Sequence, residues 1–132
     1  MSKMTVEVVT PERVVYSGQA EMVIARGVAG DLGILPNHMP LVSPLKTAPV
    51  RIKTEGEKEV KMAVSGGFME VRGDKVTILA ETAELPGDID VERAKAAKER
   101  AEKRLAEKYP DLDVQRAERA LQRAMARLDV MK

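Results

Sequence analysis

Between Leu85 and Ala94 the sequence changes character and does not change back. Upstream, short apolar runs alternate with turn residues, as strands require; downstream, charged residues and alanines recur at helical spacing. Pro86 and Gly87 punctuate the end of the strand region. Asp88 or Asp90 then offers a carboxylate to the first free N–H groups of a helix. The break predicts an α+β chain with a strand domain over 1–86 and a helical domain over 87–132.

In the first part, residues 4–9 alternate and stop at Thr10-Pro11, and residues 13–16 form a second run closed by Ser17-Gly18. Residues 21–26 follow, and then residues 27–41 carry three glycines and two prolines, which prevents a helix and predicts tight turns. Residues 50–53, 59–65, 68–72 and 75–80 complete the series, with hairpin turns at Thr54-Glu55-Gly56-Glu57 and Arg72-Gly73-Asp74-Lys75. Short strands at this spacing argue for a sandwich or barrel. With only Tyr16, Phe68 and Tyr109 as aromatics, the core must come from Val, Ile, Leu and Met, which suits two thin sheets.

Residues 88–132 hold twelve Lys or Arg and ten Asp or Glu, no glycine, and Pro110 as the one break. That pattern predicts a solvated helical hairpin. Val114, Ala117, Leu121, Ala124, Leu128 and Met131 fall on one stripe of the second helix; Val91, Ala94, Ala101 and Leu105, with Ala97 beside them, form one on the first. Both stripes are thin and alanine-rich, so the helices approach closely while burying little apolar area. Opposite the second stripe, Arg116, Arg119, Arg123 and Arg127 share a face with no acid among them. Like charges at i, i+4 cost roughly 0.2–0.5 kcal/mol per pair, which an anion or an acidic partner helix would offset. A solvated arginine face is the plain alternative.

A net charge of +1 and so few aromatics argue against nucleic acid as a partner. With no cysteine, there is neither a disulfide framework nor a thiolate metal site. The first residues break their apolar run with charge too soon for a signal peptide, and no stretch is long enough to cross a bilayer. A cytoplasmic protein, free or seated on a membrane complex, is the expectation.

Three stretches carry a resemblance: Gly30-Asp31-Leu32-Gly33-Ile34-Leu35-Pro36-Asn37-His38-Met39-Pro40-Leu41, Ala63-Val64-Ser65-Gly66-Gly67-Phe68-Met69-Glu70-Val71, and Val76-Thr77-Ile78-Leu79-Ala80. Together they make the chain resemble, along essentially its whole length, the epsilon subunits of bacterial F-type ATP synthases. That family commonly has glutamate where Asp31 stands. The resemblance implies a flattened antiparallel β-sandwich followed by an antiparallel two-helix hairpin. It also implies a central-stalk rotor subunit, peripheral on the cytoplasmic face of the membrane. The sandwich would bind the gamma subunit and the ring of c subunits, with Asp31 and His38 toward the ring. The helices would fold on the sandwich or extend along gamma into the catalytic head of alpha and beta subunits. There Arg116, Arg119, Arg123 and Arg127 would meet an acidic segment of beta and block ATP hydrolysis.

In relatives from bacilli, the folded hairpin is similar to a latch closed by ATP as a regulatory ligand, through a motif that stands here as Ile89-Asp90-Val91-Glu92-Arg93-Ala94. Glu84, Arg100, Arg123 and Arg127 complete the positions that this resemblance implies. Arginines suit phosphates, and Asp90 with hinge backbone suits an adenine amino group. No Gly-x-x-x-x-Gly-Lys loop is present, so binding without hydrolysis or a required metal is expected. The plain alternative is that Asp90 caps a helix and Arg93 pairs with an acid. His38, the single histidine, has no triad partners at a recognisable spacing, and the chain reads as non-catalytic. A free-standing ATP-binding sensor is the competing reading.

Overall fold

The computed structural model describes residues 3–107 and 110–132. Tyr109 and the first two residues of the amino-terminal reading lie outside them. Ten strands precede two helices: β1 (Met4–Val9), β2 (Val14–Ala20), β3 (Met22–Gly27), β4 (Gly30–Ile34), β5 (Leu41–Pro44), β6 (Ala48–Lys53), β7 (Glu59–Ser65), β8 (Phe68–Arg72), β9 (Lys75–Leu79) and β10 (Thr82–Glu84). They form two five-stranded sheets, ordered β2-β1-β9-β8-β5 and β10-β7-β6-β3-β4. Every ladder is antiparallel except β1 with β9, which is parallel and ties the first strand to a late one.

Period-two alternation places Val6, Val8, Met69, Val71, Val76 and Ile78 of the first sheet against Val23, Val50, Ile52, Met62 and Val64 of the second, all buried. The sandwich-or-barrel alternative thus resolves to a sandwich with an aliphatic core. Ser17-Gly18 does not close β2: Gly18 lies in register with Val6, and a Cβ there would come within 2.8 Å of the Tyr16 hydroxyl. The glycine-rich segment read as turns also contains β4 and ends on the first residue of β5, both edge strands, where glycine and proline are tolerated.

After β10 one 3₁₀ turn (Pro86–Asp88) leads to α1 (Val91–Glu107), and α2 (Val114–Val130) returns along it. Asp90 caps α1, its Oδ1 accepting from Arg93 N at 3.1 Å, and Asp113 caps α2, accepting from Arg116 N at 3.0 Å. Of Asp88 and Asp90, the cap candidates at the hinge, Asp90 takes the role and Asp88 stays in the 3₁₀ turn.

Two rows of α2 are buried. Ala117 and Ala124 belong to the predicted stripe and face the seam with Ala94 and Ala101. Ala126 and Val130, on the opposite side, rest on Ala63 of β7 with Ile89 packed beside them. α2 is therefore seated on β6 and β7, while α1 packs along α2. Val114 and Met131, placed in the predicted stripe, are exposed at 48% and 41%.

Candidate nucleotide-binding site

Where the hinge, α1 and α2 meet, the chain leaves a cavity of about 410 Å³, within the size range of small-molecule sites. The hinge side contributes Glu84, Asp88 and Asp90; α1 contributes Arg93, Ala94, Ala97 and Arg100; α2 contributes Ala120, Arg123 and Arg127. Helical spacing aligns the arginines of each helix. Arg93 and Arg100 are seven residues apart on α1 and Arg123 and Arg127 four apart on α2, so each pair shares a helix face. The alanines between them keep the helices close and the cavity floor small.

Four guanidinium groups meet three carboxylates here, and the carboxylates already have work. Arg127 Nε donates to Glu84 Oε1 at 2.7 Å. Asp90 caps α1, and Asp88 Oδ2 lies 3.8 Å from a guanidinium nitrogen of Arg13 in the β1–β2 connection. Among the described residues, Arg93, Arg100 and Arg123 have no carboxylate partner. Three unpaired guanidiniums around one cavity make a place for a polyanion, with hinge carboxylate oxygens on the rim as acceptors for an amino-bearing group.

The cavity gathers Glu84, Asp90, Arg93, Ala94, Arg100, Arg123 and Arg127 from the predicted set. Ile89 is not on its wall; its side chain packs instead with Ala63, Ala126 and Val130, fixing the hinge to the helix seat. The arginine row of α2 is divided: Arg123 and Arg127 are half-buried at the cavity, whereas Arg116 and Arg119 are exposed. Asp88, Ala97 and Ala120 line the cavity without having been singled out for it. Asp88 had a signal, its place one residue before the motif; the alanines had none beyond helical spacing.

Two other surfaces stand out. Asp31 and His38 lie at the start of edge strand β4 and in the loop beyond its end, Asp31 paired with Arg26 (3.3 Å) and His38 Nδ1 2.7 Å from Met39 O. Val28, Leu35 and Met39 beside them are each more than half exposed. On the uncovered face of the first sheet, Val14, Val9, Leu79, Phe68 and Pro44 are cross-strand neighbours in one row over all five strands. A cavity of about 420 Å³ lies against Val9, Leu79 and Phe68, and Phe68 and Leu79 are half exposed. No described helix is long and apolar enough to cross a membrane.

Residues 3–86 match the family described as ATP synthase, Delta/Epsilon chain, beta-sandwich domain, and residues 88–132 match ATP synthase, Delta/Epsilon chain, long alpha-helix domain. The sequence is 90% identical over the whole of both chains to a protein of Brevibacillus brevis named ATP synthase epsilon chain. It is 62% identical to the protein of that name in Alkalihalophilus pseudofirmus, over 80% of this chain and 78% of the relative. The fold is shared with a chain of the cryo-EM structure of Euglena gracilis mitochondrial ATP synthase, OSCP/F1/c-ring in rotational state 1. That likeness has a TM-score of 0.83 at 23% identity and covers 98% of this chain and 81% of the other.

Proposed function

The chain belongs to the ATP synthase delta/epsilon family, as a stalk subunit and not the catalytic one, and from that premise we propose that it is a rotor subunit whose helical hairpin is latched by ATP. The observation that carries the nucleotide reading is the shared cavity: seven of the eight residues implied by the bacillus motif line it. The phosphates sit among Arg93, Arg100 and Arg123, and Asp90 with the hinge backbone receives the adenine amino group. The absence of a Gly-rich phosphate loop from the sequence favours a ligand that is bound and not hydrolysed.

The partners follow from the two free surfaces. The apolar band from Val14 to Pro44 suits the gamma subunit, and the β4 edge with Asp31 and His38 suits the c ring, putting the chain peripherally at the cytoplasmic face of the membrane. When the hairpin opens, Arg116, Arg119, Arg123 and Arg127 become a basic face for an acidic segment of beta within the alpha–beta head, and ATP hydrolysis is inhibited. ATP, by binding the folded form, opposes that inhibition through mass action.

Calorimetric titration of the full chain with ATP and ADP, beside Asp90→Ala and Arg93→Ala, tests the reading. Saturable ATP binding that both variants lose supports it. No heat at millimolar ATP would reduce residues 89–94 to a hinge and a helix cap. Co-purification with gamma in the absence of nucleotide tests the rotor role separately.

A further inference from the structure

Past the nucleotide cavity, the seam between the helices widens at the hairpin turn into a second cavity of about 760 Å³. Three guanidiniums line it: Arg104 from α1, and Arg116 and Arg123 from α2. None of the three has a carboxylate partner among the described residues. Asp111 and Asp113 share the wall, but Asp113 already accepts from Arg116 N as the cap of α2. Arg116 and Arg123 stand about 10 Å apart along the helix axis, and Arg104 reaches the same space from the other helix.

We propose that this turn-end cavity is a second anion site, for a condensed inorganic phosphate such as pyrophosphate or tripolyphosphate. The spacing selects the ligand. One orthophosphate spans a single guanidinium fork, whereas a chain of two or three phosphates reaches forks spread over two helical turns, each in bidentate geometry. Occupancy joins the two helices at the end away from the hinge, so the ligand staples the hairpin shut independently of any base recognition. Ala120 and Arg123 line both cavities, so the two sites meet along one wall. A phosphate chain can therefore come from free polyphosphate or from the tail of a nucleotide seated next door, and free polyphosphate is the source proposed.

The test is titration calorimetry of the full chain with tripolyphosphate, on the natural sequence and on Arg104→Gln, Arg116→Gln and Arg93→Gln. Arg104 and Arg116 are exposed and Asp113 caps through a backbone N–H, so these variants keep the hairpin, which far-ultraviolet circular dichroism checks. The site is supported by a saturable binding event that weakens about tenfold in Arg104→Gln and in Arg116→Gln and persists in Arg93→Gln, where any separate event in the nucleotide cavity is the one that weakens. No saturable heat overturns it. Binding lost in Arg93→Gln but intact in the other two also overturns it, because the anion then occupies the nucleotide cavity. Tripolyphosphate inert while ATP weakens in Arg104→Gln overturns the free-ligand source and assigns the wall to the nucleotide's own tail. The nucleotide reading fails separately, by ATP giving no heat.

Discussion

Arg127 of α2 donates through Nε to Glu84 Oε1 of β10 at 2.7 Å, joining the last turns of the chain to the last strand of the sandwich. Both side chains are less than a third exposed. Removing one partner leaves the other half-buried and unpaired, so Arg127→Ala should loosen α2 by about 1–3 kcal/mol. Amide exchange reads this directly, with faster exchange along α2 and unchanged protection in β1 and β9. Unchanged α2 protection would rank the contact with incidental surface pairs.

Asp90 holds a cap and a place on the cavity rim at once, and substitution separates the two roles. Asp90→Ser keeps a capping oxygen, so α1 should retain its helicity while ATP affinity falls about tenfold or more with the lost carboxylate. Asp90→Ala should lose both, with about 1 kcal/mol of helix stability added to the binding defect. Circular dichroism and calorimetry on the same samples distinguish them. Equal ATP affinity in Asp90→Ser and the natural sequence would leave Asp90 as a cap.

The seat of α2 depends on small side chains, since Ala63 is buried beneath Ala126 and Val130. Ala63→Leu should overpack that contact, at roughly 1–3 kcal/mol, and release the hairpin without melting the sandwich. Limited proteolysis should then cut within residues 87–132 and leave a stable fragment of 1–86. A hairpin as resistant as before would mean that the sheet relaxes around the larger side chain.

Gly67 has φ +100, and a Cβ there would sit 1.9 Å from Leu79 O. Gly67→Ala must displace the β7–β8 turn from β9, at about 2 kcal/mol or more. A drop in Tm of roughly 10 °C is expected for a domain of this size. An unchanged Tm would show that the turn has another conformation available.

Glu59 accepts a hydrogen bond from Arg51 on the outer face of β6 and β7. That bond holds its carboxyl below the usual range, against the opposing effect of partial burial. A lowered folded pKa contributes stability above the unfolded value of about 4.3, and that stability is lost as pH falls through the folded value. Glu59→Gln should therefore be the less stable protein at neutral pH and converge with the natural sequence in acid. Denaturant midpoints across pH 3–7, roughly spanning the carboxylate range, check it. Parallel curves would remove Glu59 from the acid response.

Much of this was legible in the residues. Alternation over residues 4–9 placed β1, the turn residues around 59–65 placed β7, and the composition break at Pro86 placed the start of the hairpin. Edge strands β4 and β5 were hidden because their glycines and proline read as turns, and β10 because three residues are too few to show a period; only pairing to a neighbour makes them strands. The sheet-facing row of α2 was hidden for another reason: alanine carries little hydropathy, and Ala126 gains meaning only from Ala63 opposite it. The cavity arginines were legible as residues on helix faces. Their convergence was legible through the family resemblance and not from local pattern, because it depends on how α1 packs against α2.

α1 packs along α2, and among the described residues α2 is the helix seated on the sheet. α1 is tethered at both ends, to the hinge before it and to α2 after it, so its hold on the sandwich runs through its neighbour. The Glu84–Arg127 pair and the Ala63 seat therefore moor two helices with the contacts of one, and a change at either is passed to α1 through the alanine seam.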